Sequence, residues 1–345
     1  MIYFDNAATT PLSKTVKNNI KENLDLFGNP SSIYSIGYKS KEIIENSRKT
    51  IAECLNCKPS EIYFTSGGSE SNSWALQDKF YCHDYEHHSI LNNPNRQKEK
   101  NHNYIYAQML VNNETGTVFT GDIKMATMMR NNRVHCDATQ AIGNIDVNVK
   151  KLGVDTLSFS GHKIHAPKGV GVLYIRDGIK RPPIIYGGKQ ERGIRGGTEN
   201  ILGISALGVA VKEAYDVLSY KRSHCFLLKD HLIERLNELG IDYVINGETG
   251  IYSTIPSIVS LSIKGVESEA VLMQLDLDDI YVSAGSACTA GDLEPSATLK
   301  YFNVPDDYIG GTIRLSFDIS NTCDEIDTFC EKLAKIVKKK CLTNK

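Results

Sequence analysis

Short apolar segments typical of β-strands alternate along the chain with longer segments whose apolar positions recur at helical spacing. This alternation predicts a mostly parallel sheet covered by helices. The candidate strands lie at 61–66, 133–138, 156–160 and 171–176, a largely helical stretch follows at 201–239, and strand patterns return at 255–263 and 312–317. We therefore predict an α/β fold in which 15–240 form a large domain, while 1–14 and 241–345 form a smaller α+β domain.

The last predicted element is an amphipathic helix. Thr322 and Glu325 have the spacing of a capping box, and the apolar residues that follow them fall on one helical face. The lysines at 338–340 lie in the last turn, where they favour the helix dipole, so we read them as a solvated helix end and not as a nucleic-acid patch. The polar, Asn-rich stretch 92–103 predicts a surface loop.

Composition narrows the class of partner. The 345 residues carry a net charge of only -2, which provides no field for recruiting nucleic acid or an anionic membrane. The amino terminus has no basic head followed by an apolar stretch, and no window reaches the roughly 20 apolar residues that a membrane span needs. We expect a cytoplasmic protein that acts on a small molecule, with its nine cysteines mostly reduced.

Three segments have the chemistry of a pyridoxal phosphate site. Lys163 ends the run SFSGHK in a tight turn between two candidate strands, a rigid setting for a lysine that forms an imine. Asp137 ends another candidate strand, where its carboxylate could keep a pyridine nitrogen protonated. Between a strand and a helix start, the Ser-Gly-Gly-Ser turn at 66–69 offers backbone amides to a phosphate. Each signal alone is weak, because turn lysines, helix caps and Gly-rich turns are common.

Together these segments resemble, in order, the group I cysteine desulfurases, the NifS/IscS-type branch of the class V aminotransferase-like, fold type I pyridoxal phosphate enzymes. The resemblance extends over the whole chain. Its motifs include FDNAATTPL at 4–12, FTSGGSES at 64–71, EHHSIL at 86–91, VNNETG at 111–116, CDATQAIG at 136–143, SFSGHKIHAPKGVG at 158–171, ERGIRGGTEN at 191–200 and SAGSACTAGDLEPS at 283–296.

The resemblance implies a role for each matching residue. Lys163 would bind the cofactor, Asp137 would pair with the pyridine nitrogen, Gln140 would bond the ring hydroxyl and His87 would stack on the ring. The cofactor phosphate would be held by Gly68, Ser69, Ser160 and His162, with Thr198 supplied by the other subunit of a homodimer. Asn113 and Arg314 would hold the substrate carboxylate, a task suited to the guanidinium fork.

Cys288 indicates the reaction. Glycine and small residues surround it, which favours an exposed loop over a packed strand, and an exposed thiol can ionise and attack. In the family this position takes sulfur from L-cysteine as a persulfide and leaves alanine, with Lys163 moving the Cα proton and His87 as a candidate acid. The persulfide would supply a sulfur-acceptor or scaffold protein for iron–sulfur cluster assembly or tRNA thiolation. No metal is expected, since Cys54 and Cys57 form a single C-x-x-C pair.

The chain departs from the family around His87. The segments on both sides of 86–91 are short, which predicts the loss of a strand and one or two helices at the sheet edge, and Tyr34 stands where a histidine is common. Two alternatives stay open: another class V enzyme, such as a selenocysteine lyase or a transaminase, and a catalytically weak scaffold of a sulfur-transfer complex. Cys288 argues against transamination.

Overall fold

The computed structural model describes residues 1–101, 103–129, 133–248, 250, 253–284 and 296–343. The chain divides into two compact units. The first, the sheet unit, contains Thr10–Leu110 and Phe119–Leu218, and the second, the terminal unit, contains Met1–Thr9, Val111–Val118 and Ser219–Lys345. The small domain was predicted to contain 1–14 and 241–345. In the structure, the first segment of the terminal unit ends at Thr9, its last segment begins at Ser219, and the unit also contains 111–118.

The strands are β1 (Ile2–Tyr3), β2 (Ile62–Thr65), β3 (Phe80–Tyr81), β4 (Arg96–Gln97), β5 (Ile105–Met109), β6 (Arg133–Asp137), β7 (Thr156–Ser160), β8 (Gly171–Ile175), β9 (Tyr243–Ile245), β10 (Ile258–Ile263), β11 (Ile280–Tyr281) and β12 (Thr312–Ser316). The helices are α1 (Lys14–Glu22), α2 (Ser35–Leu55), α3 (Gly68–Ala75), α4 (His88–Leu91), α5 (Thr120–Met128), α6 (Val149–Leu152), α7 (Ile201–Asp216), α8 (Leu218–Glu238), α9 (Ser268–Asp276), α10 (Ala297–Tyr301), α11 (Asp306–Ile309) and α12 (Cys323–Thr343).

The sheet unit is built on a seven-stranded sheet in the order β2-β8-β7-β6-β5-β3-β4. Strands β4, β3, β5, β6 and β7 are parallel, while β8 runs antiparallel to both of its neighbours. This confirms the predicted α/β class with a mostly parallel sheet. Asp137 ends β6 opposite Ser158 of β7, and Ser160 ends β7. The carboxyl ends of these two neighbouring strands therefore share one edge, where ligands bind in open α/β sheets.

The edge of this sheet corrects one sequence prediction. The polar stretch 92–103 was expected to form a loop. The structure instead contains the two-residue strand β4 inside this stretch, paired with the equally short β3, which also pairs with β5. Such short strands carry no period-2 apolar pattern, so sequence patterning does not detect them. Trp74 on α3 packs in the apolar cluster beside them and donates to the Pro182 carbonyl at 2.9 Å.

The terminal unit has a separate core. An antiparallel sheet in the order β12-β10-β9 and the parallel pair β1-β11 contribute to a cluster that also includes residues of α8, α9 and α12. The predicted capping box is present: Glu325 N–H donates to Thr322 Oγ1 at 3.3 Å, and Thr322 N–H donates to Glu325 Oε2 at 3.1 Å. Of the helices in the described ranges, none combines the length and apolarity required to cross a membrane.

Candidate functional site

Asp137 is a buried carboxylate at the carboxyl end of β6. Its side-chain oxygens accept two hydrogen bonds, one from the Thr139 N–H at 2.9 Å and one from Asn72 Nδ2 at 2.8 Å. Only 6% of the residue is exposed. Thr139 belongs to the turn that follows β6, and Asn72 belongs to α3. Hydrogen bonds from two sides therefore fix the orientation of the carboxylate. A group that must face one particular atom of a ligand requires such support.

Lys163 lies in a turn that is anchored on several sides. It ends a 3₁₀ turn, Gly161–Lys163, that begins directly after β7. Gly161 N–H donates to the Val170 carbonyl at 3.0 Å, and the His162 carbonyl accepts from both the backbone and the hydroxyl of Thr10 at 2.9 Å. A Cβ at Gly161 would stand 2.9 Å from Leu207 Cδ1 and 3.1 Å from Ala166 Cβ, so a side chain here would force these neighbours to shift. The half-buried Lys163 is consequently held on a rigid backbone.

The turn from β2 into α3 contains the residues of the predicted phosphate cradle. The first bond within α3 runs from Ser71 N–H to the Gly67 carbonyl at 3.1 Å, so the amides of Gly68 and Ser69 precede the helical ladder. A Cβ at Gly68 would lie 3.2 Å from Thr139 Oγ1 and 3.7 Å from Ser160 Cβ. The structure thus brings Gly68 and Ser160 together. Amides at a helix start and a neighbouring hydroxyl suit a phosphate dianion.

A carboxylate at this helix start is already neutralised. Glu70 accepts from the Ser66 N–H at 2.8 Å and from Arg195 Nε at 2.9 Å and Nη2 at 3.1 Å. Despite its partial burial, these hydrogen bonds and the Arg195 charge keep the pKa of Glu70 below its usual value. Glu70 therefore stays paired with Arg195, and its charge is balanced beside the cradle.

His87 caps the short helix α4. Its Nδ1 accepts from the Ser89 N–H at 3.2 Å and lies 2.8 Å from Ser89 Oγ. Burial is the main cause that lowers the pKa of His87, and the nearby Lys163 charge adds to this, against an opposing effect of Asp137. The ring is consequently neutral at physiological pH. These effects also place His87, Lys163 and Asp137 in one neighbourhood.

His162 is a second neutral imidazole beside the lysine. Burial, together with the Lys163 and Lys168 charges, lowers its pKa to about 4. A neutral ring retains one N–H donor, which suits hydrogen bonding to a phosphate. Of the other predicted cofactor ligands, Gln140 is buried two residues after the turn begins at Ala138, whereas Ser69 and Thr198 are exposed.

Sequence reasoning missed two residues that join the predicted ones. Asn72 Nδ2 donates to Asp137 Oδ2 and to Ser89 Oγ, both at 2.8 Å, and Ser89 Oγ contacts His87 Nδ1. The only available signal was their position: Asn72 lies one helical turn after Gly68, and Ser89 lies two residues after His87. Neither position reveals which side chains meet.

The terminal unit contains the two predicted carboxylate-binding residues. Arg314 of β12 is 2% exposed, and its Nη1 donates to the Asn113 carbonyl at 2.8 Å. Nη2 pairs with Asp5 at 2.8 Å. Its Nε is buried without a hydrogen-bond partner among the described residues. The structure thus brings Arg314 and Asn113 together, through the backbone of Asn113, and adds Asp5, which sequence reasoning had not included. Cys288 lies outside the described residues.

The fold and the sheet edge that carries Lys163 and Asp137 define an α/β enzyme of fold type I, and comparison with known proteins specifies the family. The sequence profile described as aminotransferase class-V matches residues 2–104 and 84–329. Cysteine desulfurase IscS of Methanosarcina thermophila is 36% identical over 98% of this chain and 92% of its own length. The chain belongs to the aminotransferase class-V family, in its NifS/IscS-type cysteine desulfurase branch.

Solved structures agree with this placement. The NifS-like protein from Rickettsia africae ESF-5 is 28% identical, has a TM-score of 0.88, and matches over 98% of this chain and 99% of its own. SspA, solved in complex with cysteine, is 27% identical with a TM-score of 0.76 over 93% of this chain and 100% of its own. The alignment with the Methanosarcina protein spans 377 positions, more than the 345 residues of this chain, so it includes gaps in this sequence.

Proposed function

We propose that this protein is a pyridoxal phosphate-dependent cysteine desulfurase, which converts L-cysteine to L-alanine and leaves the sulfur on Cys288 as a persulfide. One observation carries the proposal: the buried Asp137 carboxylate and the anchored Lys163 turn lie at the ends of the adjacent parallel strands β6 and β7. The persulfide would serve iron–sulfur cluster assembly or tRNA thiolation through a sulfur-acceptor or scaffold protein. The cytoplasmic location remains a prediction.

The residues of the sheet unit fit pyridoxal phosphate. The amides of Gly68 and Ser69, the Ser160 hydroxyl and the His162 ring would hold its phosphate. Asp137, already oriented by two N–H donors, would hold its pyridine nitrogen in the protonated form, His87 would stack on the ring and Gln140 would bond the ring hydroxyl. Lys163 would hold the cofactor covalently, and once the substrate amine has taken the place of Lys163 the cofactor would supply an electron sink that weakens the Cα–H bond of the amino acid.

The side chains of this chain would perform the proton and sulfur transfers. Released when the amine of L-cysteine takes its place on the cofactor, the Lys163 amine would take the Cα proton of the substrate. The Cys288 thiolate would then attack the substrate sulfur: an S–S bond forms, the substrate Cβ–S bond breaks, and the bonding electron pair stays with carbon, which is protonated to give alanine. His87 is proposed as an acid in these proton transfers. In the terminal unit, Arg314 and Asn113 are proposed to bind the substrate carboxylate.

A homodimer is part of this proposal. Thr198, which would complete the phosphate site of the partner subunit, is exposed in this chain. The stretch 24–38 of the same unit carries six exposed large apolar side chains, among them Phe27 at 82% and Ile33 at 86%. A cluster of this kind is typical of an interaction surface. Both features support a second copy of the chain as the partner.

Product analysis with one cysteine replaced tests the proposal. We expect purified protein given L-cysteine and a reductant to release alanine and sulfide in equal amounts, and Cys288→Ala to lose sulfide release. Cys323, a partly buried thiol of α12, provides the matched control, and Cys323→Ala should retain both products. If Cys288→Ala released sulfide as fast as the parent, the persulfide route would be wrong. If L-cysteine gave neither product, another amino acid would be the substrate.

A further inference from the structure

A chain of hydrogen bonds connects His87 with Asp137. His87 Nδ1 lies 2.8 Å from Ser89 Oγ, and Ser89 Oγ accepts from Asn72 Nδ2 at 2.8 Å. The same Asn72 amide nitrogen donates to Asp137 Oδ2 at 2.8 Å. Three separate elements, α3, α4 and β6, are therefore linked by one relay of side chains. Ser89 is the member of this relay in direct contact with the imidazole.

The direction of each hydrogen bond in this relay is fixed by Asn72. Its Oδ1 faces His135 Nε2 at 3.0 Å and the Ser158 hydroxyl, while its Nδ2 faces Ser89 and Asp137. An amide has two donor hydrogens and two acceptor lone pairs, so all four positions are used. Turning the amide over would place Oδ1 against the Asp137 carboxylate, where two acceptors would repel each other.

The orientation of the Asn72 amide group decides which nitrogen of His87 carries the proton. Because Ser89 Oγ accepts from Asn72, its own hydrogen is free to point at His87 Nδ1. The Ser89 N–H donates to the same nitrogen at 3.2 Å. An Nδ1 that faces two donors has its lone pair engaged and carries no proton itself. In a neutral imidazole the hydrogen must then sit on Nε2.

We propose that Ser89 is a positioning residue that holds His87 as the Nε2–H tautomer and fixes its ring through Nδ1. This rests on the proposed function, in which His87 stacks on the cofactor and moves a proton. In that function Nε2 is the nitrogen that donates, because Ser89 engages Nδ1. The charged and titratable groups that act on His87 are Asp137 on β6, Lys163 after β7 and His88 on α4.

Ring nitrogen chemical shifts test the tautomer directly. The full-length protein, labelled with ¹⁵N-histidine, is measured at neutral pH, and His87→Gln identifies the His87 signals by their disappearance. We expect Nδ1 to have the shift of an unprotonated nitrogen and Nε2 that of a protonated one. A His87 ring with its proton on Nδ1 in the parent protein would overturn the proposal without any further variant.

Substitution of Ser89 tests its part in the relay. Ser89→Ala removes one of the two donors to Nδ1, so protonation of that nitrogen becomes easier. We expect a mixture of tautomers and a protonation midpoint of His87 raised by about 0.5 to 1 pH unit, as the loss of one ordinary hydrogen bond implies. Ser89→Thr keeps the hydroxyl and should preserve the parent spectrum.

The outcomes separate this inference from the proposed function. If Ser89→Ala lowered the unfolding temperature while the His87 shifts and midpoint stayed those of the parent, Ser89 would be structural and the inference would be wrong. Equal changes in the Ala and Thr variants would also contradict it, because the hydroxyl would then not matter. The chemical shifts are measured without substrate, so they can support the role of Ser89 even if the protein releases no sulfide. Equally, sulfide release can support the proposed function even if the shifts contradict the role of Ser89.

Discussion

Glu86 carries a carboxyl group whose second oxygen is buried without a partner. Its Oε1 accepts from the Met109 N–H at 2.6 Å, while no hydrogen-bond partner for Oε2 exists among the described residues. Burial, and then the Asp137 charge, raise the pKa of Glu86 well above its usual value. The folded protein therefore favours the protonated form of this carboxyl group, one position before the histidine that the relay orients.

Glu86→Gln should change the pH dependence of stability. The folded pKa of Glu86 lies above the unfolded value of about 4.3. Its contribution to the free energy of unfolding is therefore fully present below that pH and is lost as the pH rises towards the folded pKa. Glutamine does not titrate, so the variant should gain stability relative to the parent by up to about 1.4 kcal/mol per pH unit above that point.

Urea unfolding of both proteins between pH 5 and 8 measures this difference. Glu53, whose side chain is 68% exposed, is the control, and Glu53→Gln should follow the parent at every pH. Parallel pH profiles for the parent and Glu86→Gln would show that Glu86 is ionised in the folded protein.

Single residues were predictable from the sequence only where a motif names them. Lys163 and Asp137 follow candidate strands within recognisable segments, so their positions at the sheet edge could be expected. Asn72, Ser89 and Glu86 could not, because their roles depend on partners that come from other elements of the fold. Hydrogen-bond partners separated by up to 86 positions, as for Asn72 and Ser158, leave no local pattern.

At the scale of elements, one buried ion pair holds α2 against the strand β2 and the loop at Glu191. Arg48 Nη1 and Nη2 bind the two Glu191 oxygens at 2.9 and 2.8 Å, and Nη1 also donates to the Ile62 carbonyl at 2.7 Å. Glu191 accepts from the Phe64 N–H at 3.0 Å as well. Arg48 and Glu191 are 4% and 5% exposed, so each needs the other to offset its desolvation.

Removing one partner of this pair should destabilise the sheet unit strongly. Arg48→Met leaves the Glu191 carboxylate buried without its counter-ion, and a loss of about 3 to 5 kcal/mol of unfolding free energy is expected. Lys212 and Asp216 form an exposed pair on α7, where Lys212→Met should cost no more than about 1 kcal/mol. Denaturant unfolding compares the two variants, and equal losses would show that burial of the Arg48 pair contributes nothing.

Elements were predictable from the sequence according to their length and periodicity. The six strands with clear apolar runs and the capped helix α12 match the structure, since burial on a defined face leaves a periodic pattern. The two-residue strands β3 and β4 were not predicted, because the pairing of β3 with β5 and of β4 with β3 depends on the neighbouring sheet and not on their own residues. The loop at 191–192, which has positive φ at two non-glycine residues, could not be predicted from the sequence either.

At the scale of the whole molecule, the apolar stretch at 24–38 predicts a dimer that charge should disrupt. Phe27→Glu with Ile33→Glu places two carboxylates among exposed apolar side chains, and we expect sedimentation to show conversion of dimers to monomers. Leu277 in the terminal unit is similarly exposed at 86%, and Leu277→Glu should leave the dimer intact. A parent protein that sediments as a monomer would contradict the predicted assembly.

The visible absorption spectrum before and after L-cysteine tests the central claim most directly, because it reads cofactor and substrate together. We expect purified protein to show the absorption band of lysine-bound pyridoxal phosphate, L-cysteine to change that band, and Lys163→Ala to lack it. A protein without the band even after added pyridoxal phosphate, or with a band that L-cysteine leaves unchanged, would contradict a Lys163-bound cofactor that acts on cysteine.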